Sequence, residues 1–210
     1  MNDISLLLHN PGEFAEGIIQ KGFQVKTAAC LFSVALVGFF LFGFGVGSFV
    51  DWLTALLDGL KLCGTVAFAY ALCLPSLYVF MSLAGGNISF GRIATFGLLC
   101  IATAGCVLAA LSPVLWLFAV STATVSFILM FTVALAGVAI PFAMRPLDAA
   151  VAKKSLTSAL GGKAWFVIFT VVFLQTVTMF RPMLAPCDSV RAIPGKCFFV
   201  EHFFRTLGAK

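Results

Sequence analysis

The sequence predicts an all-α fold: a bundle of five transmembrane helices with a cytoplasmic N-terminus, preceded by a short interfacial amphipathic helix. Composition is the first observation behind this, since 61% of the 210 residues are hydrophobic and 10% are charged, against roughly 25% charged in soluble domains. The second is that long uncharged runs separate the charges. The third is that these runs do not alternate between apolar and polar residues, as β-barrel strands do. We therefore expect an integral membrane protein.

The uncharged runs define the five spans, because about 20 helical residues cross a hydrocarbon core of about 30 Å. Residues 93–144 carry no charge, and one helix over this run would be about 78 Å long, so the run must fold back on itself. The most polar tetrad within it, Ser121 to Thr124, is the predicted turn. The predicted spans are Thr27–Ser48, Leu62–Leu83, Ile93–Leu117, Val125–Met144 and Lys163–Phe180.

These spans divide the chain into an N-terminal interfacial segment (1–26), a transmembrane domain (27–183) and an extramembrane tail (184–210). The start Met-Asn-Asp-Ile lacks the basic region of a secretory signal. Asn10 and Pro11 then match a helix N-cap and a first-turn proline, and apolar residues follow at helical spacing. This pattern predicts a helix lying on the membrane. A frayed polar leader is the alternative, because three glycines weaken helicity in this segment.

The distribution of Lys and Arg predicts the orientation. The loop over residues 49–61 offers Lys61 alone, beside Asp51 and Asp58, and we expect Lys61 to be an interfacial anchor rather than a functional charge within the membrane. The N-terminus is therefore expected in the cytoplasm and the tail outside. The basic residues assigned to the cytoplasmic side are Lys21, Lys26, Arg92, Arg145, Lys153, Lys154 and Lys163.

The seven cysteines fall into two groups. Five lie within spans, where a thiol acts as a small apolar packing residue. Cys187 and Cys197 lie in the tail, and if the tail faces an oxidising compartment, a disulfide between them would close a small loop. With His202 alone nearby, these two thiols do not make a zinc signature.

Few residues could carry chemistry. We expect no ionisable side chain deep in any of the five spans, which argues against proton pumps, ion-coupled transporters and voltage sensors, because these need such groups at depth. The sequence contains no motif of a serine-, zinc- or nucleotide-dependent enzyme, and no cofactor is expected. Gln175, Tyr70 and Tyr78 are the polar groups of interest: they either join helices or line a polar path.

Small residues and tryptophans complete the prediction. Gly43 and Gly47 lie four residues apart in the first span and predict close helix packing. The tryptophans all fall near predicted span ends, where interfacial anchors are expected. They are Trp52, Trp116 and Trp165.

A glycine pair, Gly85-Gly86, followed by Asn87 and by Ser89-Phe90, joins two spans, the second of which ends in Ser112-Pro113. Over residues 61–145 this order resembles the bacterial branch of the Yip family of small polytopic membrane proteins. The resemblance implies about five spans and a cytoplasmic N-terminus. Eukaryotic members bind Rab-type GTPases, but their Asp-Leu-Tyr-Gly-Pro motif is absent here, so that activity is not inferred.

The glycine pair itself permits a tight turn, and Asn87 can cap the helix that follows. A docking surface for a cytoplasmic partner is the alternative interpretation of this turn. Both interpretations place Gly85, Gly86 and Asn87 on the cytoplasmic side of the membrane.

For function, the leading hypothesis is a non-enzymatic scaffold or accessory subunit of a membrane complex, in a bacterial inner (plasma) membrane. The alternative is a small transporter or channel for a neutral or lipid-like solute, with an intramembrane enzyme third. The expected partners are membrane lipids and another membrane protein. A net charge of +5 spread over both membrane sides indicates topology control rather than nucleic-acid binding.

Overall fold

Five α-helices make up the computed structural model of the protein, which describes residues 24–83, 89–122, 124–152 and 160–179. In chain order they are α1 Val25–Gly47, α2 Trp52–Leu83, α3 Phe90–Ser121, α4 Val125–Ala152 and α5 Leu160–Met179. The residues in these four ranges form no strand. The predicted all-α fold is therefore confirmed.

Four of these helices, α1 to α4, are long and apolar enough to cross a membrane, which makes the chain a multi-pass membrane protein. The fifth is shorter, with an apolar part over Gly161–Val177. The turn predicted at Ser121 to Thr124 is confirmed, since it separates α3 from α4. The predicted interfacial helix of the N-terminal segment lies outside the described residues.

Several helices extend beyond the predicted spans. The second helix begins at Trp52 instead of Leu62, and α4 continues past Met144 to Ala152. At 32 residues each, α2 and α3 are about 48 Å long, which exceeds the hydrocarbon thickness of about 30 Å. Charged residues therefore do not mark the helix ends in this chain.

The first helix lies at the centre of the bundle, packed along its length on α2 and α3. The second helix also packs on α5 and the third on α4, whereas α4 and α5 make few contacts with each other. The second helix runs antiparallel to α1, since Gly43 contacts Asp58 and Gly47 contacts Ala55, and antiparallel to α5, since Trp165 early in α5 donates a hydrogen bond to Cys73 late in α2. Helices α1 and α3 run parallel, because Gly38 contacts Gly105 and Leu41, farther along α1, contacts Ser112, farther along α3. The starts of α1, α3 and α5 therefore share one end of the bundle, and the turn over residues 48–51 lies at the other.

Gly38 and Gly105 bring the backbones of α1 and α3 into contact. A Cβ added at Gly38 would overlap the carbonyl oxygen of Gly105, and one added at Gly105 would lie 3.1 Å from the carbonyl oxygen of Ala35. One turn beyond Gly38, the Leu41 carbonyl accepts a hydrogen bond from the Ser112 hydroxyl at 2.6 Å. Lipid removes the hydrophobic drive between helices, so van der Waals contact of this kind is what holds them together.

Gly43 and Gly47 lie in the contact between α1 and α2. A Cβ at Gly43 would be 2.8 Å from the carbonyl oxygen of Asp58, and one at Gly47 would be 2.7 Å from the Cα of Ala55. Because real Cβ atoms do not approach backbone atoms this closely, both positions require a residue without a side chain. The central helix therefore presents glycine to both of its main neighbours.

Trp165 fixes α5 to α2, because its indole Nε1–H donates to the carbonyl oxygen of Cys73 at 2.8 Å. The tryptophan is 1% exposed, so its predicted role as an interfacial anchor is wrong. Its side chain points into the bundle, where the carbonyl satisfies the N–H group. A row of aromatic rings continues from Trp165 through Phe169 and Phe173 to Phe39 of α1, with centroid distances of 5.4, 6.1 and 5.6 Å.

The fourth helix is attached near each of its ends. Near its start, Phe127 and Phe131 pack against Phe118 of α3, with ring centroids 6.0 and 4.7 Å away. Near its end, Asp148 accepts a hydrogen bond from Lys163 of α5 at 2.6 Å, and both side chains are about half exposed. An exposed ion pair of this kind contributes little free energy. The aromatic contact is therefore the stronger attachment.

Gly38→Ala should destabilise the bundle, because the added methyl group forces α1 and α3 apart where they cross. We expect the free energy of unfolding in detergent to fall by about 1–3 kcal/mol, as overpacking usually costs. Gly137→Ala is the matched control, since nothing lies within 4 Å of a Cβ built there. Equal effects of the two substitutions on unfolding would contradict the backbone contact.

Trp165→Phe should weaken the attachment of α5, because phenylalanine cannot donate a hydrogen bond to Cys73. We expect a loss of about 1–2 kcal/mol in unfolding free energy, measured by denaturant titration in mixed micelles. The matched control is Trp116→Phe, because Trp116 is 49% exposed, and its effect should stay within about 0.5 kcal/mol. A Trp165 variant as stable as the control variant would show that the hydrogen bond does not hold α5.

Candidate functional site

Asp51 caps the start of α2. The backbone N–H of Thr54 donates to Asp51 Oδ1 at 2.6 Å, and the N–H of Ala55 donates to the Asp51 carbonyl at 3.0 Å. These are the contacts of a helix N-cap. The hydroxyl and the backbone N–H of Thr54 also lower the pKa of Asp51 below its ordinary value, which keeps a negative charge at the positive end of the helix dipole. The cap explains why α2 begins at Trp52.

Asp58 lies about two turns into α2 and is completely buried, with 0% of its side chain exposed. Its Oδ1 accepts a hydrogen bond from Lys61 Nζ at 2.7 Å, and the Lys61 side chain is 33% exposed. Asp58 Oδ2 is also buried and has no hydrogen-bond partner. The prediction that both residues lie in a loop outside the spans is therefore wrong. Asp58 and Lys61 are therefore ionisable groups in the first part of a helix that is long enough to cross a membrane.

The surroundings of this pair are those of a helix in lipid. Thr54, Ala55, Asp58 and Gly59 are buried, and these small or polar residues lie on the side of α2 that meets Gly43 and Gly47 of α1. Apolar side chains cover the opposite side, which reverses the pattern of a water-soluble helix. The exposed apolar residues of this segment are Trp52, Leu53, Leu56, Leu57 and Leu60.

Charge is divided unequally between the two ends of the bundle. Within the described ranges, the end at the 48–51 turn carries Asp51, Asp58 and Lys61. The other end is rich in basic residues, which is the pattern from which the orientation was predicted. Its charged side chains are Lys26, Arg92, Arg145, Asp148 and Lys163.

The structure separates the three polar residues that were expected to join helices or to line a path. Tyr70 is buried, and its hydroxyl donates to the Ala94 carbonyl of α3 at 2.6 Å. Tyr78 lies about two turns farther along α2, is 40% exposed, and packs edge-on against Phe90 with ring centroids 5.6 Å apart. Gln175 is half-buried near the end of α5. Tyr70 therefore links α2 to α3, whereas Tyr78 faces out of the bundle.

The other predicted site residues lie outside the described residues, so the turn and the tail disulfide stay predictions. They are Gly85, Gly86, Asn87, Cys187 and Cys197. The cysteines of α1 to α3 are free thiols. Of these, Cys63 donates to the Leu36 carbonyl of α1 at 3.2 Å, so it adds a contact between α1 and α2. In the part of the chain that the structure describes, no group of three His, Cys, Asp or Glu residues could hold a metal ion.

Comparison of the chain with protein-family models, with curated proteins and with solved structures finds no match. The chemistry of the bundle therefore has to follow from its own residues. The ion pair of Asp58 and Lys61 is the strongest candidate for a functional site, because a carboxylate that is completely buried with one oxygen unpartnered is costly to keep ionised.

Sequence reasoning missed Asp58 because charged residues were used to bound the spans. Two local signals indicated a longer helix. Asp51 stands three residues before Thr54, which is the spacing of an N-cap and the N–H it accepts from. Asp58 stands three residues before Lys61, which puts the two charges on one helix face.

Lys61→Met should destabilise the bundle, because it leaves the carboxylate of Asp58 buried without its partner. We expect the unfolding free energy to fall by about 1–3 kcal/mol at neutral pH. The double substitution Asp58→Asn with Lys61→Met removes both charges and should recover most of this loss, since replacing a whole buried pair is often close to neutral.

The exposed pair of Asp148 and Lys163 provides the matched control for this cycle. Lys163→Met should change the unfolding free energy by about 0–1 kcal/mol, because water screens both groups. A loss at Lys61 no larger than the loss at Lys163 would contradict the burial of Asp58.

Proposed function

We propose that this protein is a non-enzymatic multi-pass protein of the bacterial inner membrane that acts as a scaffold or accessory subunit of a membrane complex. The observation that carries the proposal is the free surface of α4. In the most apolar stretch of α4, 17% of the residues are buried, against 50% in that of α3. Among the four long helices, α4 therefore leaves the largest share of its surface available to another membrane protein.

The outer surface of α4 has the shape of a helix-packing face. We call Met130, Val133, Ala134, Gly137 and Val138 the Gly137 face; all five are exposed. At its centre, nothing lies within 4 Å of a Cβ built on Gly137. A small residue flanked by larger apolar ones lets a second helix approach its backbone closely. The proposed occupant is a transmembrane helix of another protein.

Composition supports the non-enzymatic part of the proposal, since the sequence offers no catalytic motif and keeps His9 and His202 outside the predicted spans. The resemblance to the Yip family implies about five spans and a cytoplasmic N-terminus, and the proposal adopts both. The sequence from Arg145 to Lys163 holds four basic residues, and we propose this stretch as a second contact for the partner on the cytoplasmic side.

A transporter or channel for a neutral solute is the weaker alternative. It needs Gln175, Tyr70 and Tyr78 along one path, yet the Tyr70 hydroxyl is engaged with the Ala94 carbonyl and Tyr78 faces out of the bundle. Proteoliposome flux that disappears in Gln175→Leu would favour this alternative over the scaffold.

Photo-cross-linking in native membranes tests the scaffold proposal. A photoreactive amino acid at Met130 should give a discrete adduct with a second protein, because position 130 lies on the Gly137 face. The same probe at Val79 of α2, which is 53% exposed on another side of the bundle, should give no discrete adduct. Mass spectrometry of the adduct identifies the partner.

A pair of glycine variants sharpens the test. Gly137→Leu should reduce the adduct several-fold by blocking close approach, whereas Gly64→Leu should not, although nothing lies within 4 Å of a Cβ at that glycine either. No adduct from position 130, an adduct only with a second copy of this chain, or equal loss in both variants would contradict the proposal.

A further inference from the structure

The two carboxylate oxygens of Asp58 stand in different surroundings. Oδ1 accepts the hydrogen bond from Lys61 Nζ at 2.7 Å, while Oδ2 is buried and has no partner. An ionised carboxylate carries negative charge on both oxygens and can only accept hydrogen bonds. A buried charged oxygen without a donor is costly. Lys61 therefore stabilises the negative charge on Oδ1 and leaves the charge on Oδ2 without a donor.

No other charged side chain in the described residues is placed to stabilise the negative charge on Oδ2. The helix packed against this face, α1, carries no charged side chain after Lys26 and contributes Gly43, whose missing Cβ leaves room only for the α2 backbone. The nearby ends of α3 and α5 are uncharged as well. Asp51, the remaining charged group at this end, is negative and occupied in capping α2.

We propose that Asp58 is a proton-binding site of this membrane bundle. A proton from water at the end of the 48–51 turn forms an O–H bond on Oδ2, and the hydrogen bond from Lys61 to Oδ1 remains in place. No electrons are exchanged. The summed charge of Asp51, Asp58 and Lys61 changes from −1 to zero.

Geometry favours a proton over a larger ligand at this oxygen. The ammonium of Lys61 already lies 2.7 Å from Oδ1, and its positive charge repels any metal ion or organic cation that approaches the carboxylate. On the side facing α1, a Cβ added at Gly43 would lie 2.8 Å from the backbone carbonyl oxygen of Asp58, so the backbones of α1 and α2 leave no gap for a ligand between them. Lys61, one third exposed, is the part of the pair that reaches the surface of the bundle, so we expect the proton to arrive from its side. This inference goes beyond the proposed function and needs no partner protein.

Infrared difference spectroscopy of the protein in lipid vesicles tests the site without a reagent that must reach a buried group. Between about pH 5 and about pH 9 an ordinary aspartate is ionised and an ordinary lysine is protonated. Within that range we expect the carbonyl stretch of a protonated carboxylic acid at low pH, and its loss as the pH rises. The band should be absent in Asp58→Asn and retained in Asp51→Asn, the matched control at the same end of the bundle.

Lys61→Gln gives an independent, directional test that does not depend on the folding of Asp58→Asn. Removing a positive charge at this distance should move the midpoint of the band toward higher pH by about one unit or more. A spectrum without the band throughout this range, a band that persists in folded Asp58→Asn, or a midpoint unmoved by Lys61→Gln would overturn the proposal. Absence of the band would make Asp58 and Lys61 a permanently ionised structural pair, whereas the other two results would assign the band to a different carboxyl group.

Discussion

The contact of α1 with two neighbours at the level of the backbone is the constraint on which the rest of the bundle depends. Gly38 meets Gly105 of α3, and Gly43 and Gly47 meet the start of α2, at separations that leave no room for a Cβ. Between apolar helices in lipid, the hydrophobic effect does not drive association, so this close packing supplies much of the attraction. The first helix therefore sets the positions of α2 and α3, and these two carry α5 and α4.

Close approach also decides where polar groups can be satisfied. Where helices meet, hydroxyl, thiol and indole groups donate to main-chain carbonyl oxygens of the neighbouring helix, as Ser112 does to Leu41 and Trp165 does to Cys73. Each such bond spares a polar group from an apolar environment and fixes one helix against another. Asp58 differs from these groups because it is an acceptor, and the carbonyl-rich surface of α1 offers it no donor. Lys61, on its own helix, is its partner for this reason.

The outer helices differ from the central one in what they leave exposed. The fourth helix is attached through aromatic rings near its start and an exposed ion pair near its end, and its middle presents the Gly137 face. A helix attached near its ends can bind another helix without disturbing the contacts of α1 with α2 and α3. The two candidate functional regions of this protein are therefore separate: the buried Asp58 lies at one end of the bundle, and the exposed Gly137 face lies along its side.

The sequence by itself determined the helical class, the five helices of the described residues and the turn after Ser121, because uncharged stretches of this length cannot remain unstructured in lipid. It did not determine where α2 begins, since hydropathy averages over all sides of a helix while the burial of Asp58 depends on one side facing glycines of α1. Trp165 was misassigned for the same reason: its place near a span end suggested the interface, and only the proximity of the Cys73 carbonyl gave its indole N–H a buried partner. The apolar middle of each helix could be predicted from the chain alone, whereas the helix ends and the contacts between helices were decided by the tertiary structure, because backbone-level packing depends on the small residues of two helices together.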